Sequence, residues 1–149
     1  MKPDIRIQTE AFDPIAESNR LEIEGAGAVA TFTGLVRGDD DLAVLELEHY
    51  PAMTEQALRS IASDAAERWD LAGLTIIHRI GRMTPGERIV FVGAASRHRK
   101  DAIEAMHFVI DWLKTDAPFW KREEFSDGRI GWVEARDSDT AQREKWNKV

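Results

Sequence analysis

Two lysines flank a pair of large aromatic side chains in the segment KTDAPFWKREE, residues 114–124. The chain carries 20 basic and 27 acidic side chains, so this local accumulation of positive charge is unusual for it. A lysine that lies against apolar surface can act as a nucleophile or a base, which makes Lys114 and Lys121 candidate catalytic groups. Spacing alone favours the structural alternative, in which both ammonium groups reach water across Phe119 and Trp120.

A second basic cluster, SRHRK at residues 96–100, lies where a long helix is predicted to begin. Cations are disfavoured at a helix N-terminus, because the helix dipole is already positive there. An anion held by the free backbone N–H groups and by His98 and Arg99 would remove this conflict. A solvated charged turn is the open alternative.

Arg37 lies just past a predicted strand in GLVRGDDD, residues 34–41, with a glycine on either side. The segment lacks the spaced glycines and the Gly-Lys-Ser/Thr ending of a phosphate-binding loop. Pattern alone favours an ordinary hairpin loop with an exposed arginine.

The remaining candidate ligands and nucleophiles indicate no metal site and no thiol chemistry. Histidines occur at positions 49, 78, 98 and 107, without i, i+4 spacing and without an HExxH motif. We interpret His49 and His78, which lie in predicted strands, as hydrogen-bonded core histidines. The chain has no cysteine, so it forms no disulfide and cannot itself carry a persulfide.

The elements that must position these residues predict one α+β domain over residues 1–149, with a largely antiparallel sheet. Pro85-Gly86 marks a hairpin, and Ala117-Pro118 ends the long helix. That helix has an apolar stripe, predicted to be buried, of Ile103, Met106, Ile110 and Leu113. The predicted strands cover residues 4–9, 25–34, 42–50, 74–81, 88–96 and 129–136, and the predicted helices follow Asp13, cover 54–69 and about 97–115, and begin again at Ser138.

Charge and hydropathy narrow the function classes. A net charge of −7 disfavours general nucleic-acid binding. No apolar run approaches the roughly 18 residues of a membrane span, and the first residues lack the apolar core of a secretory signal, so we expect a cytoplasmic protein.

The spacing of Arg99 and Lys114 raises a question of assembly. They lie at opposite ends of the predicted helix, roughly 20 Å apart at about 1.5 Å per residue. One small ligand cannot contact both within a single chain. Either there are two anion sites, or one site is shared across a dimer interface, and we favour the second as a hypothesis.

Several long motifs in order resemble the family of the large, catalytic subunit of molybdopterin synthase (MoaE-like). They are VATFTGLVRG, LELEHYPAMTEQAL, the run from IIHRIG to WKREE at residues 76–124, and WVEAR, and together they span nearly the whole chain. The resemblance implies an α/β-hammerhead type of fold with an antiparallel sheet subdomain, and no cofactor.

The resemblance also implies an activity and partners. The family converts cyclic pyranopterin monophosphate, precursor Z, to molybdopterin in molybdenum cofactor biosynthesis. Its sulfur comes from a thiocarboxylate on the C-terminal glycine of a ubiquitin-like small subunit, which suits a chain without cysteine. A homodimer of large subunits with a small subunit at each end forms a heterotetramer.

Site residues carried over from the family fall into two sets. Lys114 matches the principal catalytic lysine, and Lys121 the second. The residues that match the substrate pocket are Arg37, His98, Arg99, Lys121, Arg122, Glu123 and Arg136. Two rival functions remain: a non-catalytic binding module for a phosphorylated ligand or an acidic protein tail, and Schiff-base chemistry at Lys114.

Overall fold

A computed structural model describes residues 1–133 of the chain. Within that range eight strands form two four-stranded sheets and pack with three α-helices, so the predicted α+β class is confirmed. The strands are β1 (Asp4–Gln8), β2 (Ala28–Leu35), β3 (Leu42–His49), β4 (Leu71–Arg79), β5 (Gly81–Met83), β6 (Arg88–Ser96), β7 (Phe119–Phe125) and β8 (Ile130–Val133), and the helices are α1 (Pro14–Asn19), α2 (Pro51–Arg68) and α3 (Arg99–Asp116).

The first sheet has the strand order β1-β4-β6-β2. β4 and β6 pair antiparallel as the predicted hairpin, β2 pairs antiparallel with β6, and β1 pairs parallel with β4. β4 and β6 are almost continuously buried because apolar groups cover both faces of this sheet. Ile76 lies in the main core, which includes residues of α2 and α3, whereas Ile77 faces a smaller cluster that includes Phe12 and Phe91.

The second sheet has the order β5-β3-β7-β8, and every pairing within it is antiparallel. Side chains of a strand alternate between its two faces. Leu45 and Leu47 of β3 are therefore buried in the main core, whereas Glu48 between Leu47 and His49 is exposed. This inner face of the second sheet meets the main core.

The helices begin and end partly as predicted. The Asp13 side chain accepts a hydrogen bond of 2.9 Å from the Ile15 N–H and caps α1. α2 begins at Pro51, three residues before the predicted start, because proline is favourable at the first helical position. None of the described helices is long and apolar enough to span a membrane.

The predicted stripe of α3 is partly wrong. Ile110 and Leu113 are buried, but Ile103 has 52% of its surface exposed. The helix instead buries two small residues, Ala102 and Ala105, next to Phe108 and Val109. Small side chains allow the helix to approach the sheet closely, which a count of large apolar residues does not reveal.

Candidate functional site

β7 carries the aromatic and basic residues that drew attention in the sequence. Ala117 is extended, with φ −67° and ψ 125°, so the chain leaves α3 before Pro118 and turns into the strand. β7 pairs with β3 in a register that sets Phe119 opposite His49 and Lys121 opposite Leu47. The sequence analysis did not predict this strand.

Alternation along β7 separates its side chains into two faces. Phe119, Lys121 and Glu123 share the inner face with Leu45 and Leu47 of β3. Lys121 and Glu123 are part-buried there. The inner face therefore directs Lys121 toward the main core rather than away from it.

Two histidines enclose Phe119. The His78 ring stacks on the Phe119 ring with a centroid separation of 4.1 Å and an interplanar angle of 28°. The His49 ring lies 6.1 Å from the same ring, and its Nδ1 is 3.0 Å from the Thr54 hydroxyl. His78 is 9% exposed, so its interpretation as a core histidine is confirmed, whereas His49 is only part-buried.

Lys114 and Lys121 both act electrostatically on His78. The pKa of His78 is lowered to about 4, mainly by burial and less by the positive charges of Lys114, Lys121 and His49, whereas the hydrogen bond with the Arg79 backbone opposes the shift. The imidazole is therefore uncharged at neutral pH. Lys114 lies in the last turn of α3 and is exposed, so it borders the site from the solvent side.

The opposite face of β7 holds an ion-pair network on the outer side of the second sheet. Arg122 contacts Glu124 at 2.7 Å and Glu46 at 3.8 Å, and Arg82 contacts Glu124 at 2.7 Å. The hydrogen bond from Arg82 is the main reason that the pKa of Glu124 is lowered. Arg122 thus lies on the face opposite Lys121, although the two residues are adjacent in sequence.

Arg37 lies at the same end of the first sheet as the two lysines. Leu35, at the end of β2, pairs with Arg88 at the start of β6. α3 follows β6 after two residues and packs back across β6 and β2, so its C-terminal end returns to this end of the sheet. Arg37 itself is exposed and lies 3.5 Å from Asp39. β2 and β3 belong to different sheets, so the expected hairpin loop around Arg37 is wrong.

His98 and Arg99 lie at the other end of α3. Both are exposed, and His98 is the N-cap residue without a side-chain capping hydrogen bond. Lys114 is fifteen residues beyond Arg99 along α3, which is about 22 Å at 1.5 Å per residue. Within one chain the described residues therefore bring Arg37 to the end of the core that holds Lys114 and Lys121, but not His98 and Arg99. Arg136 lies outside the described residues.

The arrangement supplies two primary amines beside apolar rings and a neutral imidazole. Ammonium groups at a partly desolvated site bind carboxylate, thiocarboxylate and phosphate more strongly than they do in water. A neutral lysine amine can also accept an acyl group or form an imine. The sequence pattern does not reveal His78 as a site residue, since only the packing of the second sheet on the core brings Phe119 and the lysines to it.

The family model and the similar proteins of known name indicate the same family. Residues 7–116 match the family model described as MoaE protein. The chain is 52% identical over 149 residues to the molybdopterin synthase catalytic subunit of Pseudomonas aeruginosa, covering 97% of this chain and 99% of that protein. It is 54% identical over 123 residues to the Escherichia coli protein of the same name, covering 80% and 81%.

Similar solved structures indicate the same family. A molybdopterin biosynthesis MoaE protein from Burkholderia ambifaria superposes with a TM-score of 0.84 at 47% identity, covering 98% of this chain and 99% of that one. The molybdopterin synthase structure from Staphylococcus aureus superposes with a TM-score of 0.78 at 34% identity, covering 89% and 98%. The predicted resemblance is confirmed.

Proposed function

The chain belongs to the MoaE protein family, and from this premise we propose that it is the catalytic subunit of a molybdopterin synthase. Its substrate is precursor Z, and its sulfur donor is the C-terminal thiocarboxylate of a ubiquitin-like small subunit. The observation that carries the proposal is that Lys114 and Lys121 both lower the pKa of the buried His78, which is uncharged at neutral pH. The cytoplasm is the proposed compartment.

A chain without cysteine suits this chemistry. The sulfur enters on the partner, so the large subunit needs only to bind two anions and bring them together. Each of two thiocarboxylates forms a carbon–sulfur bond to the pterin side chain as a carbon–oxygen bond of that side chain breaks. Hydrolysis of the acyl–sulfur bond then leaves the sulfur on the pterin and returns the partner's C-terminus as a carboxylate. Cationic groups at fixed positions favour each charged state along this path.

We assign Lys114 to the reacting centre because it lies at the solvent side of the site, where a partner's tail can enter. Its ammonium group binds the thiocarboxylate and assists sulfur attack, or its amine accepts the partner's acyl group transiently. Mass spectrometry distinguishes these roles: transfer of the acyl group from the pterin-bound sulfur gives an amide between the small subunit's C-terminus and Lys114, and the pterin thiolate is the leaving group. Lys121, on the inner face of β7, supplies a second positive charge.

The substrate-binding assignments remain predictions for Arg37, His98, Arg99, Lys121, Arg122, Glu123 and Arg136. Arg37 and Glu123 have positions suited to the lysine site. Arg122 already forms ion pairs on the outer face of β7, so its contribution is to hold the strand unless the substrate displaces Glu124.

A shared site reconciles the positions of His98 and Arg99 with a phosphate-binding role. About 22 Å of helix separates Arg99 from Lys114, so a second large subunit must supply the basic end of α3 if both contact one substrate. Mixing an Arg99→Ala chain with a Lys114→Ala chain tests this. Random exchange makes about half of the dimers mixed, each with one intact site, so about one quarter of wild-type activity returns. No recovery after verified exchange contradicts the shared site.

The function is tested by reconstitution. The wild-type chain is mixed with thiocarboxylated small subunit and precursor Z, and the dithiolene product is measured as its oxidised fluorescent derivative. Binding of the small subunit is measured in parallel by calorimetry. Product formation supports the synthase, whereas binding without product supports the alternative of a binding module. Borohydride trapping with a small ketone tests Schiff-base chemistry at Lys114.

A further inference from the structure

His78 is a buried titratable group to which neither the family resemblance nor the proposed mechanism gives a role. His78 is the second-to-last residue of β4. It lies on the same face of the strand as Leu74 and Ile76, which are buried in the main core. A position with this pattern is ordinarily apolar. An imidazole there needs a partner for its polar atoms, because an unpaired buried polar group is costly.

Its contacts fix the tautomer. Nδ1 lies 2.9 Å from the carbonyl oxygen of Arg79. A carbonyl only accepts hydrogen bonds, so Nδ1 carries the proton and donates it. Nε2 is then the unprotonated nitrogen of a neutral ring, since burial and the neighbouring lysines oppose a second proton. His78 therefore presents a flat, uncharged ring to Phe119.

The stacked ring of His78 connects Phe119 to the first sheet. Phe119 is the first residue of β7 and pairs with His49 of β3, and the described part of β8 pairs with β7 from Lys121 onward. Lys121 is two residues further on the same face, so its position depends on where this end of the strand is held.

We propose that His78 is a positioning residue for the sulfur-transfer site, which holds Phe119 by ring stacking and thereby places Lys121 beside Lys114. The expected effect of this role on kcat rests on the proposed function, whereas its effect on the position of Lys121 does not. The aromatic ring is the feature that matters, and the hydrogen bond to Arg79 serves mainly to orient that ring.

Three variants separate stacking from general stability. His78→Phe keeps an aromatic ring and loses the hydrogen bond to Arg79, whereas His78→Leu loses both. Phe119→Leu removes the other ring of the same stack. Because Phe119 is only partly buried, this variant provides the test if the His78 variants fail to fold. Thermal unfolding and circular dichroism are recorded for each variant.

Steady-state kinetics of the reconstituted synthase provide the first readout. We expect His78→Leu and Phe119→Leu to lower kcat about tenfold, because misplaced catalytic groups cost rate, and any accompanying rise in KM for precursor Z reports the substrate-binding role of Lys121. His78→Phe keeps kcat within about threefold of wild type although it has lost a hydrogen bond. The double variant His78→Leu/Phe119→Leu is no slower than either single variant, since both remove one contact.

Competitive acetylation by trace acetic anhydride, read by mass spectrometry, provides a second readout that needs no enzyme activity. The rates of Lys114 and Lys121 are compared with those of the exposed Lys2 and Lys100. We expect His78→Leu to change the relative rate of Lys121 at least about threefold and His78→Phe to leave it unchanged, because lysine reactivity follows its surroundings.

The outcomes are distinguishable. If wild type forms no dithiolene product, the proposed function fails, and the acetylation rates alone still decide the positioning role. Wild-type kcat and wild-type Lys121 reactivity in folded His78→Leu overturn the proposal. An equal loss in His78→Phe and His78→Leu also overturns it, since stability and not stacking would then account for the effect.

Discussion

The burial of His78 predicts an acid-dependent loss of stability that one substitution removes. The pKa of His78 falls from 6.5 in the unfolded chain to about 4 in the folded protein, mainly because burial disfavours the charged ring. Between these values the unfolded chain binds a proton and the folded protein does not. The free energy of unfolding therefore decreases as the pH falls. For this pKa difference the decrease is about 2 kcal/mol from pH 8 to pH 5, and about 3 kcal/mol once the pH is below 4.

The assay is urea unfolding at several pH values, followed by tryptophan fluorescence, for wild type and for His78→Phe. Other groups near His78, namely Lys114, Lys121 and His49, are present in both proteins, so their contributions largely cancel in the difference. We expect the variant to gain about 2 kcal/mol relative to wild type between pH 8 and pH 5. Parallel pH profiles for the two proteins would refute the reasoning, because His78 would then titrate alike in both states.

Four further substitutions test the fold and the site. Gly27→Ala places a Cβ 2.2 Å from the Arg97 carbonyl oxygen and is expected to cost about 1–3 kcal/mol by urea unfolding. Among the described residues nothing lies within 4 Å of a Cβ at Gly131, so Gly131→Ala is expected to be neutral or slightly stabilising. A destabilised Gly131→Ala would show that strand glycines matter for another reason. Asp13→Ala removes the side-chain cap of α1 and is expected to lower the free energy of unfolding by about 1 kcal/mol, measured by urea unfolding. An unchanged free energy of unfolding would mean that water replaces the cap. Arg122→Gln is expected to lower the free energy of unfolding and to leave KM for precursor Z unchanged, because Arg122 forms ion pairs with Glu46 and Glu124. A raised KM would instead support a role of Arg122 in substrate binding.

The sequence was sufficient for elements with a strong local signal. The hairpin of β4 and β6 has two apolar runs around Pro85-Gly86, and both strands are found. α3 ends where the residue before Pro118 must leave the helix. These signals depend on backbone angles that proline and glycine fix locally.

β7 was missed for a physical reason. Its sequence FWKREEF has charged residues on both faces, so it lacks the apolar alternation of a half-buried strand. Arg122 and Glu124 are stabilised on the outer face by ion pairs, and Lys121 and Glu123 are accommodated at the edge of the core. Tertiary pairing with β3 thus determines a strand that local pattern does not predict.

The composition of the candidate site can be predicted from the sequence, but its geometry cannot. Residue type and family motif predict Lys114 and Lys121, and their roles stay predictions. Their neighbour His78 lies 36 residues before Lys114 in the chain, and only sheet packing brings the two together. Conversely, His98 and Arg99 share the long helix with Lys114 but lie at its far end, as the rise per residue requires.

Reconstitution of a single variant tests whether Lys114 acts at the reacting centre of sulfur transfer. Lys114→Ala is reconstituted with thiocarboxylated small subunit and precursor Z beside wild type and a matched control, Lys2→Ala, which removes an exposed lysine from the first residues of the chain. We predict that wild type and Lys2→Ala form dithiolene product at equal rates. Lys114→Ala is predicted to be slower by about a hundredfold or more while it still binds the small subunit. Equal rates from Lys114→Ala and wild type would contradict the account.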